Sequence, residues 1–444
     1  MISIQRCEWR GLARLTTGIA AIGLAGLAAC ADASKILDQE APSRVEASTL
    51  DNPAFAQLLV NGAIGDFECA LGNYIIAGGL VGDELIDAQL SQAGWDYDRR
   101  TIFPSSPPYA TFQCGANQAP GLYTPLSVAR FQADNALKKL QGWTDAQVPN
   151  RQTLIGQAAV YGGYSLLLLG ESMCSAAIDL GPEMSRAQLF AAAQDRFTTA
   201  LTALGSVTSA KADTLRNAAH VGRARALLDQ GKGTEARADA ILVTDPGFVL
   251  NASYSAASGR RENLVWSQMF RGLFSSVDPS YRGVTWAGVA DPRVSVTNTN
   301  AKGQDASTII WRQNKYPLIS SPIPIARYAE AQLIVAEVDN AAGGAGTTNA
   351  VNIINALHTK AGIPAYAGGT QAEVQAQIIE ERRREFFLEG QRLGDIIRYN
   401  LTVTPVKGTP FKNGGSYGND TGIQLCFPLP DIERNNNPNI SKTS

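Results

Sequence analysis

A run of 29 residues, TQAEVQAQIIEERRREFFLEGQRLGDIIR at positions 370–398, constrains the fold of this chain more than any other stretch. Thr370 with Glu373 three residues on reads as a capping box, which places a helix start there. Val374, Ile378, Arg382 and Phe386, then Leu393 and Ile397, keep a helical spacing with one interruption at Gly390. The spacing predicts one amphipathic helix, about 42 Å long if unbroken at about 1.5 Å per residue. Glu380 with Arg384, Glu389 with Arg392 and Asp395 with Arg398 are placed to pair along it. Gly390 and Gly394 each weaken a helix by about 1 kcal/mol, which is tolerable where a neighbouring backbone or bulky side chain must come close. Phe386 is expected to face the core and Gln391 the solvent. At least as many acids as arginines sit in the run, so a packed helix with a charged flank explains the pattern without catalysis or nucleic acid.

The chain has 444 residues and a formal charge of −2, which gives no electrostatic case for a nucleic-acid partner. With 42 glycines and 21 prolines, long ordered loops are expected around a regular core. Residues 1–29 read as a signal segment: Arg6, Arg10 and Arg14 precede an apolar run at 15–29 that is too short to span a bilayer. Leu27-Ala28-Ala29-Cys30 resembles a bacterial lipobox, in which Cys30 is lipidated and becomes the new N-terminus. Acyl chains contribute about 0.8 kcal/mol per buried CH₂, so several on one cysteine anchor a protein to a membrane. Ala31 stands where an aspartate typically retains lipoproteins at the inner membrane, so the outer membrane is the expected location. Residues 30–49 then serve as a tether, and 50–444 as a single domain.

Cys69, Cys114, Cys174 and Cys426 are left after the signal and the lipid site, and four cysteines in an oxidising compartment allow three pairings. The expected pairing is Cys69–Cys114, tying an N-terminal loop, with Cys174–Cys426, stapling a helix end to the C-terminal segment. No two of them form a CxxC clip, so a zinc site is not expected.

Helical rhythm marks residues 53–69, 122–140 (through Val128, Phe131, Asn135 and Leu137), 151–170, and 185–204 with a second capping box at Ser185 and Gln188. Two shorter helices follow at 212–230 and 235–243. Helix pairs at 151–204, 212–243 and 325–361 carry a faint tetratricopeptide (TPR) pattern, in which stacking supplies the core. Loop-rich insertions are expected near 70–121, 250–321 and 402–430, the second with strand-like runs at 294–297 and 307–311.

No catalytic constellation emerges. His220 and His358 lie in helices, where packing explains them. Asp83 and Glu84 would act as a glycosidase pair only if another carboxylate faced them across a cleft. Residues 231–234, GKGT, join two helices and lack the glycine and the strand of a P-loop. What remains are aromatics in polar segments. Sugar rings present C–H faces that pack on Trp and Tyr, and Trp95, Tyr97, Trp286 and Trp311 are the candidate ligand-binding residues; Trp143 and Trp266 are assigned to packing. Neither a cofactor nor a metal is called for.

The segment EERRREFFLEGQRLGDIIR closely resembles the C-terminal signature of the SusD/RagB family, whose members usually read ERRREL-aromatic-FEG-x-R-x-x-D-x-x-R. IARYAEAQLIVAE at 325–337, NIINALHTKAGI at 352–363 and FPLPDIERNNNPN at 427–439 resemble further family stretches in the same order. Leu393 and Gly394 depart from a preferred aromatic pair, and His358 from a preferred Arg. The resemblance implies a mostly α, SusD-like fold with four TPR-like helix pairs plus a loop-rich segment with short strands. It also implies a non-enzymatic, surface-exposed lipoprotein of the outer membrane that binds a nutrient oligomer, an oligosaccharide or a peptide. Such a protein passes its cargo to a TonB-dependent receptor, a SusC-like barrel. A TPR-like envelope scaffold is the alternative.

Cys30→Ala is expected to leave the precursor unlipidated and to move the mature protein away from the outer membrane. Fractionation together with globomycin-sensitive processing measures this, and an unchanged membrane distribution contradicts the lipobox.

Overall fold

The computed structural model describes residues 51–115, 120–420 and 422–441. The signal segment 1–29, Cys30 and most of the tether lie outside the described residues. Helix α1 (Ala56–Gly82) is enclosed without a break from Phe67 to its end. It therefore continues through residues expected to open a loop-rich insertion near 70. Small side chains permit this, because at Gly72 an added Cβ would stand 3.0 Å from Leu264 Cβ. Strand β1 (Leu85–Asp87) and the short helices α2 (Gln92–Asp98) and α3 (Pro107–Thr111) follow.

Helices α4 (Tyr123–Gly142) and α5 (Arg151–Ser172) lead through the hairpin β2 (Ser175–Ala177) and β3 (Glu183–Ser185) to α6 (Arg186–Leu204), α7 (Ala210–Asp229) and α8 (Gly233–Ala240). From α4 to α8 each helix packs on the next. On α4 the buried stripe runs through Leu126, Ala129, Ala133, Ala136 and Leu137, whereas Val128 and Phe131 are 36% and 51% exposed. The expected apolar face was thus rotated: small alanines, which allow close helix approach, take the core side. Ser185 and Gln188 do form a reciprocal capping box.

Helix α5 is long and apolar enough to cross a membrane, but it is a core helix, buried without a break from Leu154 to Ser172. Its packing on α6 follows a seven-residue register. A Cβ at Gly156 would stand 2.5 Å from Leu204, at Gly163 2.7 Å from Phe197, and at Gly170 2.5 Å from Phe190. Seven residues are about two helical turns, so three glycines on one antiparallel face receive three large side chains from the other. Phe197 also fills the space at Gly222 of α7, where a Cβ would meet its ring at 2.3 Å.

The non-helical segment is framed by β4 (Val249–Ala252) and β10 (Ile323–Arg327), which pair antiparallel. Inside that frame, Leu264–Trp266 forms one helical turn and runs into a π-helical turn, Ser267–Arg271. Strand β5 (Ser275–Val277) pairs with β1, β6 (Thr285–Trp286) with β7 (Val289–Ala290), and β8 (Val296–Lys302) with β9 (Ile309–Gln313). Helices α9 (Tyr328–Ala342) and α10 (Ala345–Ala361) pack together. Beyond them lie α11 (Gln371–Glu385), α12 (Arg392–Arg398) and α13 (Asp431–Asn436). Disulfides join Cys69 to Cys114 and Cys174 to Cys426.

The signature segment starts at the expected capping box of Thr370 and Glu373. It is two helices, however, not one. Between them the chain reverses, with Leu388 and Gly390 at φ +55° and +82°. The reason lies in α1 and the residues just after it. The Leu388 N–H donates to the Glu84 carboxylate at 2.8 Å, and a Cβ at Gly390 would stand 2.8 Å from the Tyr74 ring. Arg392 binds Asp83 bidentately, both contacts at 2.7 Å. Glu389 pairs with Arg327 and Lys315 rather than with Arg392, while Glu380–Arg384 and Asp395–Arg398 pair as expected. Phe386 is buried as expected, but Gln391 is buried too, its amide oxygen accepting from Arg382 at 3.1 Å and its amide donating to Glu330.

The α5–α6 register predicts that Gly163→Ala destabilises by about 1–3 kcal/mol, the cost of overpacking. Gly62→Ala, on exposed α1 surface with nothing within 4 Å of the new Cβ, is expected to stabilise by about 0.5–1 kcal/mol. Denaturant titration of both variants checks this; similar midpoints contradict the register. Burial outweighs the Leu388 N–H and pushes the Glu84 carboxyl up from 4.5 to about 7. The folded protein then holds a proton that the unfolded chain has released, so this contribution to stability is present below 4.5 and is lost as pH rises through 7. Glu84→Gln, which keeps an acceptor for Leu388, should flatten the fall in Tm between about pH 5 and 8; an unchanged slope contradicts the assignment.

Candidate functional site

The ionisable groups singled out from the sequence are all engaged by protein partners. Asp83 and Glu84 are buried and taken up by Arg392 and by the Leu388 N–H. His358 is fully buried, with Nδ1 2.7 Å from the Pro364 carbonyl oxygen and Nε2 2.7 Å from Glu381. His220 Nδ1 lies 2.9 Å from Asp239. Among the described residues no group of three or more His, Cys, Asp or Glu is gathered for a metal. Several concavities lie among the described residues, one of about 370 Å³ along Gln141, Arg151 and Thr198. A polar cleft of about 350 Å³ lies between Arg293, Lys315, Arg327, Glu385 and Glu389, whose charges pair with one another. An apolar groove of about 450 Å³ runs along Tyr328, Gln332, Ile353 and Leu357. None of the four candidate aromatics lines any of these.

The structure does not bring those four together. Tyr97 and Trp95 sit on helix α2, not in an open loop. Tyr97 is 1% exposed, donates to the Pro120 carbonyl at 2.9 Å and packs edge-on against Phe427 at 5.3 Å. No face of it is open to a ligand. Trp95 is half-buried and its Nε1 donates to the Gln89 carbonyl at 2.8 Å. Trp286 is carried by the β6–β7 hairpin, whose two turn residues, Ala287 and Gly288, both have positive φ, as tight hairpins require. Its ring lies edge-on to His358 at 5.0 Å, and its Nε1 is buried without a hydrogen bond.

Strand β9 holds the remaining candidate and a feature that sequence reasoning missed. Its Trp311 N–H donates to Ser276 Oγ, which in turn donates to the Ile309 carbonyl, fixing β9 against β5. Trp311 is half-buried, with the Arg282 guanidinium 5.1 Å from its ring. Successive strand residues point to opposite faces, and the next residue, Arg312, lies 4.2 Å over the Phe270 ring. Phe270 stacks on Trp266, centroids 5.5 Å apart and planes 19° apart. Trp266, assigned to packing from the sequence, is half-buried and donates Nε1–H to the Pro317 carbonyl at 3.1 Å. The stack is built by the helical turn and π-turn at 264–271, which place residues 266 and 270 over one another. Their spacing of four was the available signal.

The third loop-rich stretch, 402–430, is tied to this layer. Lys412 pairs with Asp305 at 2.9 Å and donates to Thr308 Oγ1 at 2.6 Å. Against the cost of burial, Lys412 and Thr308 hold the Asp305 carboxyl well below its ordinary range. Nearby, Asp87 is pushed up to about 8 by burial.

Comparison with known proteins places this architecture. Residues 295–444 match the model of the SusD family. The starch-binding protein SusD of Bacteroides thetaiotaomicron is 29% identical over 174 residues, covering 36% of this chain. The match spans 30% of that relative's length. A SusD superfamily protein from Bacteroides vulgatus superposes with a TM-score of 0.67 at 15% identity, over 88% of this chain and all of the other. A laminarin-binding SusD-like protein superposes with a TM-score of 0.64 at 15% identity, over 88% of this chain and 98% of that one. Residues 295–444, about a third of the chain, thus match the SusD family model, and the described body has the fold of SusD superfamily structures.

Proposed function

We propose that this protein is a non-catalytic carbohydrate-binding lipoprotein of the outer membrane that captures an oligosaccharide and delivers it to a TonB-dependent barrel. The observation that carries the reading is the 29% identity over 174 residues to a starch-binding protein. The laminarin-binding neighbour, which shares the fold, supports it as well. The barrel partner, the lipid anchor at Cys30 and the surface location follow from the family resemblance and the lipobox.

Within the loop-rich layer, the surfaces suited to a sugar are the half-buried tryptophans Trp95, Trp286, Trp311 and Trp266. A flat ring desolvates the C–H face of a pyranose at small entropic cost, because an indole has only two side-chain torsions to fix. A carrier has to release its cargo, so micromolar affinity is expected, about −8 kcal/mol.

Calorimetric titration of the full lipoprotein, held in a detergent without a sugar headgroup, tests this against oligosaccharide and peptide pools. Micromolar binding of an oligosaccharide is the expected result. Trp311→Ala should weaken it about tenfold, or 1.4 kcal/mol, with an unchanged circular-dichroism spectrum. Binding of peptides alone overturns the carbohydrate assignment. Binding of neither pool, with a barrel still co-purifying, makes the protein a lid or scaffold instead.

A further inference from the structure

We infer that Arg312, held over the Phe270 ring that also stacks on Trp266, is an anion-selecting subsite, and that the oligosaccharide bound here carries a negative charge. This inference rests on the carbohydrate-binding reading above and adds to it the charge of the ligand.

The observation behind it is the state of one guanidinium. Among the described residues every other arginine donates at least one hydrogen bond to protein. Even Arg186 and Arg282, which have no carboxylate partner, reach the Gly170 and Val277 carbonyls. The Arg312 side chain donates none and pairs with no acid; its guanidinium lies over the Phe270 ring at 4.2 Å. Its Nε is buried without an acceptor. Its two Nη groups are neither buried nor bonded to protein, so they are presented to solvent. The acid closest in sequence to the stack, Glu262, is already taken up by Arg271 at 2.8 Å. The positive charge at Arg312 is therefore uncompensated by protein.

The placement is specific. A long side chain free in solvent loses rotamer freedom when it is held, so a guanidinium fixed on a ring is pre-organised for a ligand. The backbone beneath it is a π-helical turn, Ser267–Arg271, a geometry found often at functional sites. Asn263 secures the preceding turn by accepting from the Trp266 N–H at 3.0 Å. The Trp266 indole N–H is engaged by Pro317, so what Trp266 leaves exposed is ring surface. Leu318, next in the chain, is 62% exposed.

The ring surface of the Trp266–Phe270 stack together with the N–H fork that Phe270 carries matches a sugar ring bearing an anionic group. A uronate carboxylate fits the fork in two parallel hydrogen bonds. A sulfate ester offers the same oxygens, and the two sources share one chemistry. A neutral glucan supplies no partner for the charge.

The test titrates the full lipoprotein, in the same sugar-free detergent, with four probes: an oligogalacturonate, its carboxyl-reduced neutral counterpart, a sulfated galactan oligosaccharide and laminari-oligosaccharides. The expected result is at least tenfold preference for an anionic probe over its neutral counterpart, declining as salt is raised. The uronate and sulfate arms tell the two sources apart. Arg312→Gln should reduce that preference at least tenfold, and Arg312→Lys, which keeps the charge without the fork, should restore part of it. Thermal melts establish that each variant is folded. If the parent binds only neutral oligosaccharides, or if Arg312→Gln retains the full anionic preference, the subsite is wrong while the carbohydrate reading stands. If no probe and no other oligosaccharide binds, both fall together.

Discussion

The structure depends on how the chain end of helix α1 holds the reversal between α11 and α12. Asp83 takes Arg392 in two hydrogen bonds, and Glu84 accepts the Leu388 N–H within a backbone stretch that no helix could continue. Residues more than 300 positions apart are thereby locked into one unit. Arg382, buried in the same region, reaches across the reversal to Asp395 and Gln391. A buried arginine without such partners would be strongly destabilising, so each charge here requires the others.

This explains why the most charged stretch of the chain is not its chemistry. The acids and arginines of the signature segment consume one another. Glu381 meets His358 and Arg293; Glu385 and Glu389 meet Arg327. What they produce is an ion-paired junction between α11 and the segments at 293 and 327. The loop-rich layer, in turn, owes its shape to short pairings, each only two to seven residues long per strand. Strand β9 shows the consequence: fixed to β5 through Ser276, it presents Trp311 to one side and Arg312 to the other.

Much of the frame was legible in advance. Capping boxes at Ser185 and Thr370 are local devices, made by residues three apart, and both form as the spacing implied. The cysteine pairing anticipated for Cys69, Cys114, Cys174 and Cys426 is the one the structure holds. Helical rhythm located α4 but misjudged its face, since alanines and a paired Arg130 carry the buried stripe while Phe131 stays half exposed. Tyr97 looked like a loop aromatic because its neighbours are polar; Asp96 and Asp98 on either side are buried too, held by Arg99 and by the Asp87 N–H.

The sequence by itself determined a mostly helical chain, its capped helix starts, its cysteine set and its family signature, because these rest on contacts between near neighbours or on residue type. Only the tertiary structure decided that the signature segment breaks, since the break is imposed by Tyr74 and Glu84 approaching from another helix and the turn beyond it. Tertiary structure alone also decided which aromatics keep an open face and which arginine, among the described residues, donates no hydrogen bond to protein. A side chain's exposure and the compensation of its charge are set by residues that meet in space from distant parts of the chain, and spacing along the chain carries no record of them.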